Sequence, residues 1–218
     1  MTGRSFAFTR SLTVLTALFA AACSPSAGGQ RPPAEYDAET GRLRRLVVDV
    51  NQNGRSDAVS VMDGARIEHV EVDLDENGTP DRWDFYRGDT TLERVGFSRL
   101  NDGVMDAQVF YSAGGDISRI EVSTQRDGRF NRVEFYEAGL LVHSEEDTNG
   151  DGRADKWETY RPNVDAGPNE PPYAIASVAF DDSGRGRPER RVIYGKGGEP
   201  GRVEVNPAGA DSGSTGHP

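Results

Sequence analysis

The chain has 218 residues, a formal net charge of −11, 35% hydrophobic and 28% charged residues, 26 glycines and one cysteine. Such a low apolar content with so much glycine suits a thin, turn-rich β protein and argues against a deep core. The acidic balance speaks against nucleic acid as a partner, and a lone cysteine rules out an internal disulfide.

At the amino terminus, Arg4 and Arg10 precede an apolar run over residues 11–19 and a small-residue site at Ala20, Ala21 and Ala22, so residues 1–22 read as an export signal. The run is too short to span a bilayer. Cys23 follows directly, and the arrangement resembles a bacterial lipoprotein signal. That resemblance implies lipidation of Cys23, a membrane anchor through it and, with Ser24 next, sorting to the outer membrane. Ala20 departs from the pattern, which usually has Leu there, so general signal-peptidase cleavage leaving a free thiol stays open. Residues 23–41, with Pro25, Pro32 and Pro33, read as a flexible tether.

Residues 42–205 read as six tandem units of a β-repeat domain. Gly54, Gly78, Gly103, Gly128, Gly152 and Gly186 recur at intervals of 24 or 25 residues, and 34 for the last. Each marks the sixth position of an acidic loop. Before the loops run apolar columns, Leu43, Ile67, Leu92, Ile117, Leu141 and Ile175, then Leu46, Val70, Val95, Ile120 and Val178, then Val48, Val72, Phe97, Val122 and Phe180. Only Ser144 and Glu146 break them. After the loops come residues such as Trp83, Phe85, Val133, Phe135 and Trp157, closed by Tyr86, Tyr111, Tyr136, Tyr160 and Tyr194. Glycine-bearing tight turns then reverse the chain.

Each unit is therefore strand, loop, strand, tight turn, and the fold class is all-β. Alternation puts Trp83 and Phe85 on one apolar face with Val70 and Val72. On the opposite face it puts Arg45, His69, Arg94, Arg119 and His143 beside Glu71, Glu121, Glu145, Arg82, Arg132, Lys156, Asp84, Glu134 and Glu158, with the tyrosines and the Leu43 column on that charged side. About twelve strands with one apolar face suggest a curled antiparallel meander, barrel-like or two-layered, with an elongated hairpin solenoid as the alternative. The proline-rich insertion 162–172, with Arg185, Arg187, Arg190 and Arg191 nearby, is the first candidate for partner contact. Residues 206–218 read as a disordered tail.

Oxygen donors at loop positions 1, 3, 5, 9 and 12 are the spacing of an EF-hand-type calcium loop. Three loops carry enough of them: Asp49, Asn51, Asn53 and Asp57; Asp73, Asp75, Asn77 and Asp81 with Asp84; Asp147, Asn149, Asp151 and Asp155 with Glu158. The first lacks a carboxylate at position 12, Ser60. In the third and fourth loops Ser98, Leu100, Ser123 and Gln125 fill donor slots, so these read as plain turns, and in the sixth, with Asp181, Ser183 and Glu189, the cation Arg185 at a ligand position speaks against a metal. The loops resemble those of thrombospondin type 3 and dockerin-like repeats, which implies structural Ca2+. Turns such as Tyr136 to Leu141 are similar to bacterial YD-type and MORN-like hairpin repeats.

No catalytic constellation stands out, since His69, His143 and His217 have no cysteine or serine elbow to serve. The sequence thus suggests a non-enzymatic, lipid-anchored, calcium-stabilised envelope protein whose partner is an envelope protein or polysaccharide. Two alternatives stay open, a polysaccharide-acting enzyme and an immunity or antitoxin-like protein.

Overall fold

The computed structural model describes residues 33–88 and 91–206. The export signal, Cys23, most of the tether and residues 207–218 lie outside them. Every regular element is a strand: β1 (Ala34–Tyr36), β2 (Leu43–Val48), β3 (Ala58–Asp63), β4 (Arg66–Val72), β5 (Arg82–Arg87), β6 (Thr91–Phe97), β7 (Ala107–Tyr111), β8 (Ile117–Val122), β9 (Arg132–Glu137), β10 (Leu140–Glu146), β11 (Lys156–Pro162), β12 (Tyr173–Phe180), β13 (Arg190–Tyr194) and β14 (Pro200–Val205). All fourteen form one antiparallel sheet in sequence order. Strands contact substantially only their neighbours in the sequence, and β1 and β14 do not pair with each other.

The tandem-hairpin meander is thus as the repeat predicts. The sheet does not close into a barrel, and β1 and β14 are its two edges. It also begins earlier than the boundary at residue 42. Ala34 to Tyr36, placed by composition in the tether, pair with β2, and Tyr36 sits opposite Leu43. Pro33 is tolerated there because the strand is an edge. Strands β1 and β14 are half-units flanking six whole ones, which accounts for fourteen strands where the sequence suggests about twelve.

The faces differ from the sequence expectation. The nine-residue loop 73–81 sets Val72 opposite Arg82 and Val70 opposite Asp84, so Trp83 faces Glu71 and Phe85 faces His69. Directly opposed residues share a face. Each face is therefore mixed, with apolar and charged columns on alternate strands. On the first, His69 stacks on Phe85 at 5.4 Å, His143 stacks on Phe135 at 4.2 Å, and Arg94 and Arg119 lie 3.9 and 4.0 Å over Phe85 and Phe110.

The second face holds Val70, Val72, Val95 and Val178 beside Arg82, Asp84, Arg132, Glu134, Lys156 and Glu158. A register shift in each tight-turn hairpin, for example between Phe85 and Tyr86, sets Tyr86 opposite Leu92 and Tyr111 opposite Ile117. Such a bulge re-aims a side chain. The Leu43 column consequently joins the valine face, where alternation with Asp84 and Glu134 already places Tyr86 and Tyr136 and where Ile67, Val95, Leu141 and Val178 are buried.

Strand β10 explains its own polar break. It lies between β9 and β11, which both carry a base and an acid on this face. Ser144 and Glu146 meet them: Arg132 pairs with Glu134, Glu146 and Glu158 at 2.9, 3.2 and 2.7 Å, and Lys156 with Glu146 and Glu158 at 3.1 and 2.9 Å. An apolar strand there would leave those charges half-buried and short of partners.

Candidate functional site

All six acidic loops stand in one column along one side of the sheet. The N–H at position 1 of each loop after the first donates to the carbonyl at position 9 of the loop before, from Asp73 to Asp57 through Ser98 to Asp81, Ser123 to Asp106, Asp147 to Asn131 and Asp181 to Asp155, at 2.8 to 2.9 Å. Asn206 makes the same bond to Glu189. Loops two strands apart are thereby locked in register.

One backbone conformation serves the whole column. Position 6 is left-handed glycine throughout, as at Gly78 (φ +93°). Position 4 is left-handed too, and in four loops it is not glycine: Gln52, Glu76, Asn101 and Arg126 have φ between 55° and 60°. Holding such residues there costs on the order of 1 kcal/mol each. The residue at position 9 anchors the loop by accepting the N–H of position 2, as Asp57 does from Val50, Asp81 from Leu74, Asp106 from Arg99, Asn131 from Thr124 and Asp155 from Thr148.

The second loop gathers its acids. Oxygens of Asp73, Asp75 and Asp81 all lie within 4.8 Å of one another, and among the described residues no other three acidic, histidine or cysteine side chains do so. Asp73 accepts the N–H groups of Asn77 and Gly78 at 3.1 and 2.8 Å, and Asp75 accepts that of Asn77 at 3.2 Å. Asp81 is only 3% exposed, and its Oδ1 is buried with no hydrogen-bond partner. Among the described residues no basic side chain pairs with any of the three. Hard oxygen donors of this kind fit a calcium ion better than a transition metal.

Asp84 stands apart from this group. It is hydrogen-bonded to Arg82 on the sheet, with Arg82 Nη2 to Asp84 Oδ2 at 2.9 Å. Glu158 is likewise placed on the valine face with Arg132 and Lys156. Burial raises its pKa, but hydrogen bonds from Lys156 and the charge of Arg132 outweigh that and hold it down at about 2. Position 12 therefore serves the sheet, since the strand after the loop begins at position 10.

The first and fifth loops are closed differently. In the first, Asp49 accepts the N–H groups of Asn53 and Gly54, Asp57 is buried, and the amides of Asn51 and Asn53 both donate to Glu76 of the next loop. In the fifth, Gly150 at position 4 donates to Asp147 at 2.6 Å, Asp151 accepts from Arg153, Asn149 from Asp151, and the Thr148 hydroxyl donates to Asp155 at 2.7 Å. Burial raises the pKa of Asp147, and the N–H groups of Gly152 and Gly150 lower it further than that.

In the third loop the acids are met by two arginines, one its own and one from the next loop. Arg126, at position 4 of the fourth loop, binds Asp102 at 2.6 and 2.8 Å and Asp106 through Nε at 2.5 Å. Arg99 adds a contact to Asp106 at 3.1 Å, and Asp106 is wholly buried. Hydrogen bonds from Arg126 hold the pKa of Asp102 down at about 2. Glu76, Asn101 and Arg126 were invisible as site residues in the sequence because they sit in no donor slot. What marks them is that a non-glycine residue stands at position 4 with polarity matched to the preceding loop.

Around the insertion, Asn163 N–H closes the turn on Pro172 O at 2.8 Å. The arginines expected nearby stand instead at the far end of β12, past Phe180, because β12 runs from the insertion to the sixth loop; there Arg185 pairs with Glu189, Arg190 with Asp182 and Arg191 with Glu204. No protein-family model matches the chain, and no curated protein matches it either.

Proposed function

We propose that this is a lipid-anchored, non-enzymatic protein of the cell envelope, with a structural or binding role, whose β-repeat is stabilised by calcium. The observation that carries the calcium part is the second loop. Three carboxylates converge there without a basic partner, and one buried carboxylate oxygen has nothing to bond to. A divalent cation supplies the missing charge and the missing bond. Its affinity should be that of extracellular modules, a Kd of about 10⁻⁴ to 10⁻³ M. The anchor rests on the residues around Cys23, and the outer-membrane address on Ser24.

The non-catalytic part is supported by how the sheet carboxylates are used. Glu134, Glu146 and Glu158 are all ion-paired with Arg132 or Lys156, and a carboxylate held at a pKa of about 2 is a poor general acid at neutral pH. Thermal melting of the chelator-stripped chain tests the calcium reading. The midpoint is expected to rise as calcium reaches the millimolar range, and a midpoint that does not move, with no metal retained, removes it.

A further inference from the structure

Consecutive loops meet the same electrostatic demand by different means, and the residue at position 4 of the following loop decides which. Glu76 accepts two amide groups from Asn51 and Asn53 and lies 3.7 Å from Arg55, so the first loop is tied to the second by donors of its own. Asn101 gives the second loop only its carboxamide, 3.3 Å from Asp75, while its carbonyl takes Asn77 at 2.8 Å. That leaves Asp73, Asp75 and Asp81 uncompensated, with Asp81 Oδ1 orphaned. Arg126 brings a full positive charge to the third loop and divides it between Asp102 and Asp106. A planar guanidinium with donors on two edges can satisfy two carboxylates at once.

We propose that Arg126 is the built-in cation of the third loop, and that the column consequently takes up one exchangeable divalent cation, at Asp73, Asp75 and Asp81. This assignment rests on the calcium reading above and narrows it from several loops to one. The fifth loop stays out of it because its acids, with Gly150 and Thr148 bonded to Asp147 and Asp155, do not gather as those of the second loop do. Two consequences are separable: the number of metal ions per chain, and the origin of the charge that holds the third loop.

Native mass spectrometry and calorimetric titration with calcium, on the full chain and on Asp75→Asn, Asp151→Asn, Arg126→Gln and Arg126→Lys, test both. One calcium per chain is expected in the parent and in Asp151→Asn, with binding weakened about tenfold or more in Asp75→Asn. Arg126→Gln should keep that calcium but melt well below the parent, while Arg126→Lys, which retains the charge, should recover part of the loss. Should Arg126→Gln fail to fold, the Lys variant still carries the comparison, because a purely steric role for the guanidinium predicts that Lys is as damaging as Gln. Two or more calcium ions, or a calcium lost in Asp151→Asn but kept in Asp75→Asn, would overturn the assignment and leave the calcium reading standing. A chain that binds none in any variant overturns both, and equal melting of parent and Arg126→Gln overturns the role of the arginine.

Discussion

The second and third loops are neighbours in the column with the same left-handed positions, at Glu76 and Gly78 in one and at Asn101 and Gly103 in the other. They differ in charge compensation. One gathers three carboxylates with no base among the described residues, and the other sets two carboxylates against two arginines. The bend is therefore a property of the backbone, set by glycine at position 6, the buried anchor at position 9 and the hydrogen bond to the loop before. The ligand-like side chains are an overlay on that bend. A loop of this type can keep its shape while losing or replacing its cation.

The largest way to break the comparison is to remove the arginine. Arg126→Gln should destabilise the chain more than any other change considered, because wholly buried Asp106 loses one of its two bases, and urea unfolding reads that difference. Next is calcium itself. With ligand at about 10 to 100 times Kd, binding to the native state should add about 1.4 to 2.7 kcal/mol, and the gain should fall by about 1 kcal/mol or more in Asp75→Asn while surviving in Arg126→Gln.

Acid sharpens the contrast. Asp102 has its folded pKa lowered to about 2 from an ordinary value of 3.8. A depressed carboxylate contributes fully above its unfolded pKa and loses that contribution as pH falls through the folded one, so the third loop should hold to about pH 4 and weaken between about pH 4 and 2. Glu158, lowered to about 2 from 4.5, should behave the same way on the sheet. Melting curves across that range with and without Arg126 isolate the loop's share. The smallest effect is at the first loop. Glu76→Ala removes exposed hydrogen bonds to Asn51 and Asn53 and should cost about 0.5 to 1 kcal/mol, measured by the same unfolding curves.

The repeat, the strand–loop–strand–turn unit and the second loop's donor set could all be read from the residues, since glycine spacing and acidic spacing are local signals. The sidedness of the sheet could not be read by simple alternation. The three-residue step from Ile67 to Val70, repeated from Leu92 to Val95 and from Ile117 to Ile120, is the trace of the bulge that carries the first residue of each step onto the valine face. An odd-length loop then fixes which strand faces which, and Trp83 lands beside Glu71 and not beside Val72. The role of Arg126 was hidden for a different reason. It acts on the loop 24 residues earlier, and that proximity exists only once the loops are stacked.

Because each strand is bonded only to the strands beside it in the sequence, the molecule has no central element whose loss collapses the rest. Its energetics approximate a sum over adjacent units. Pulled from its two ends, such a chain should come apart one hairpin after another at modest force, as a zip opens, and excising a single whole unit in phase should shorten the sheet without unmaking it.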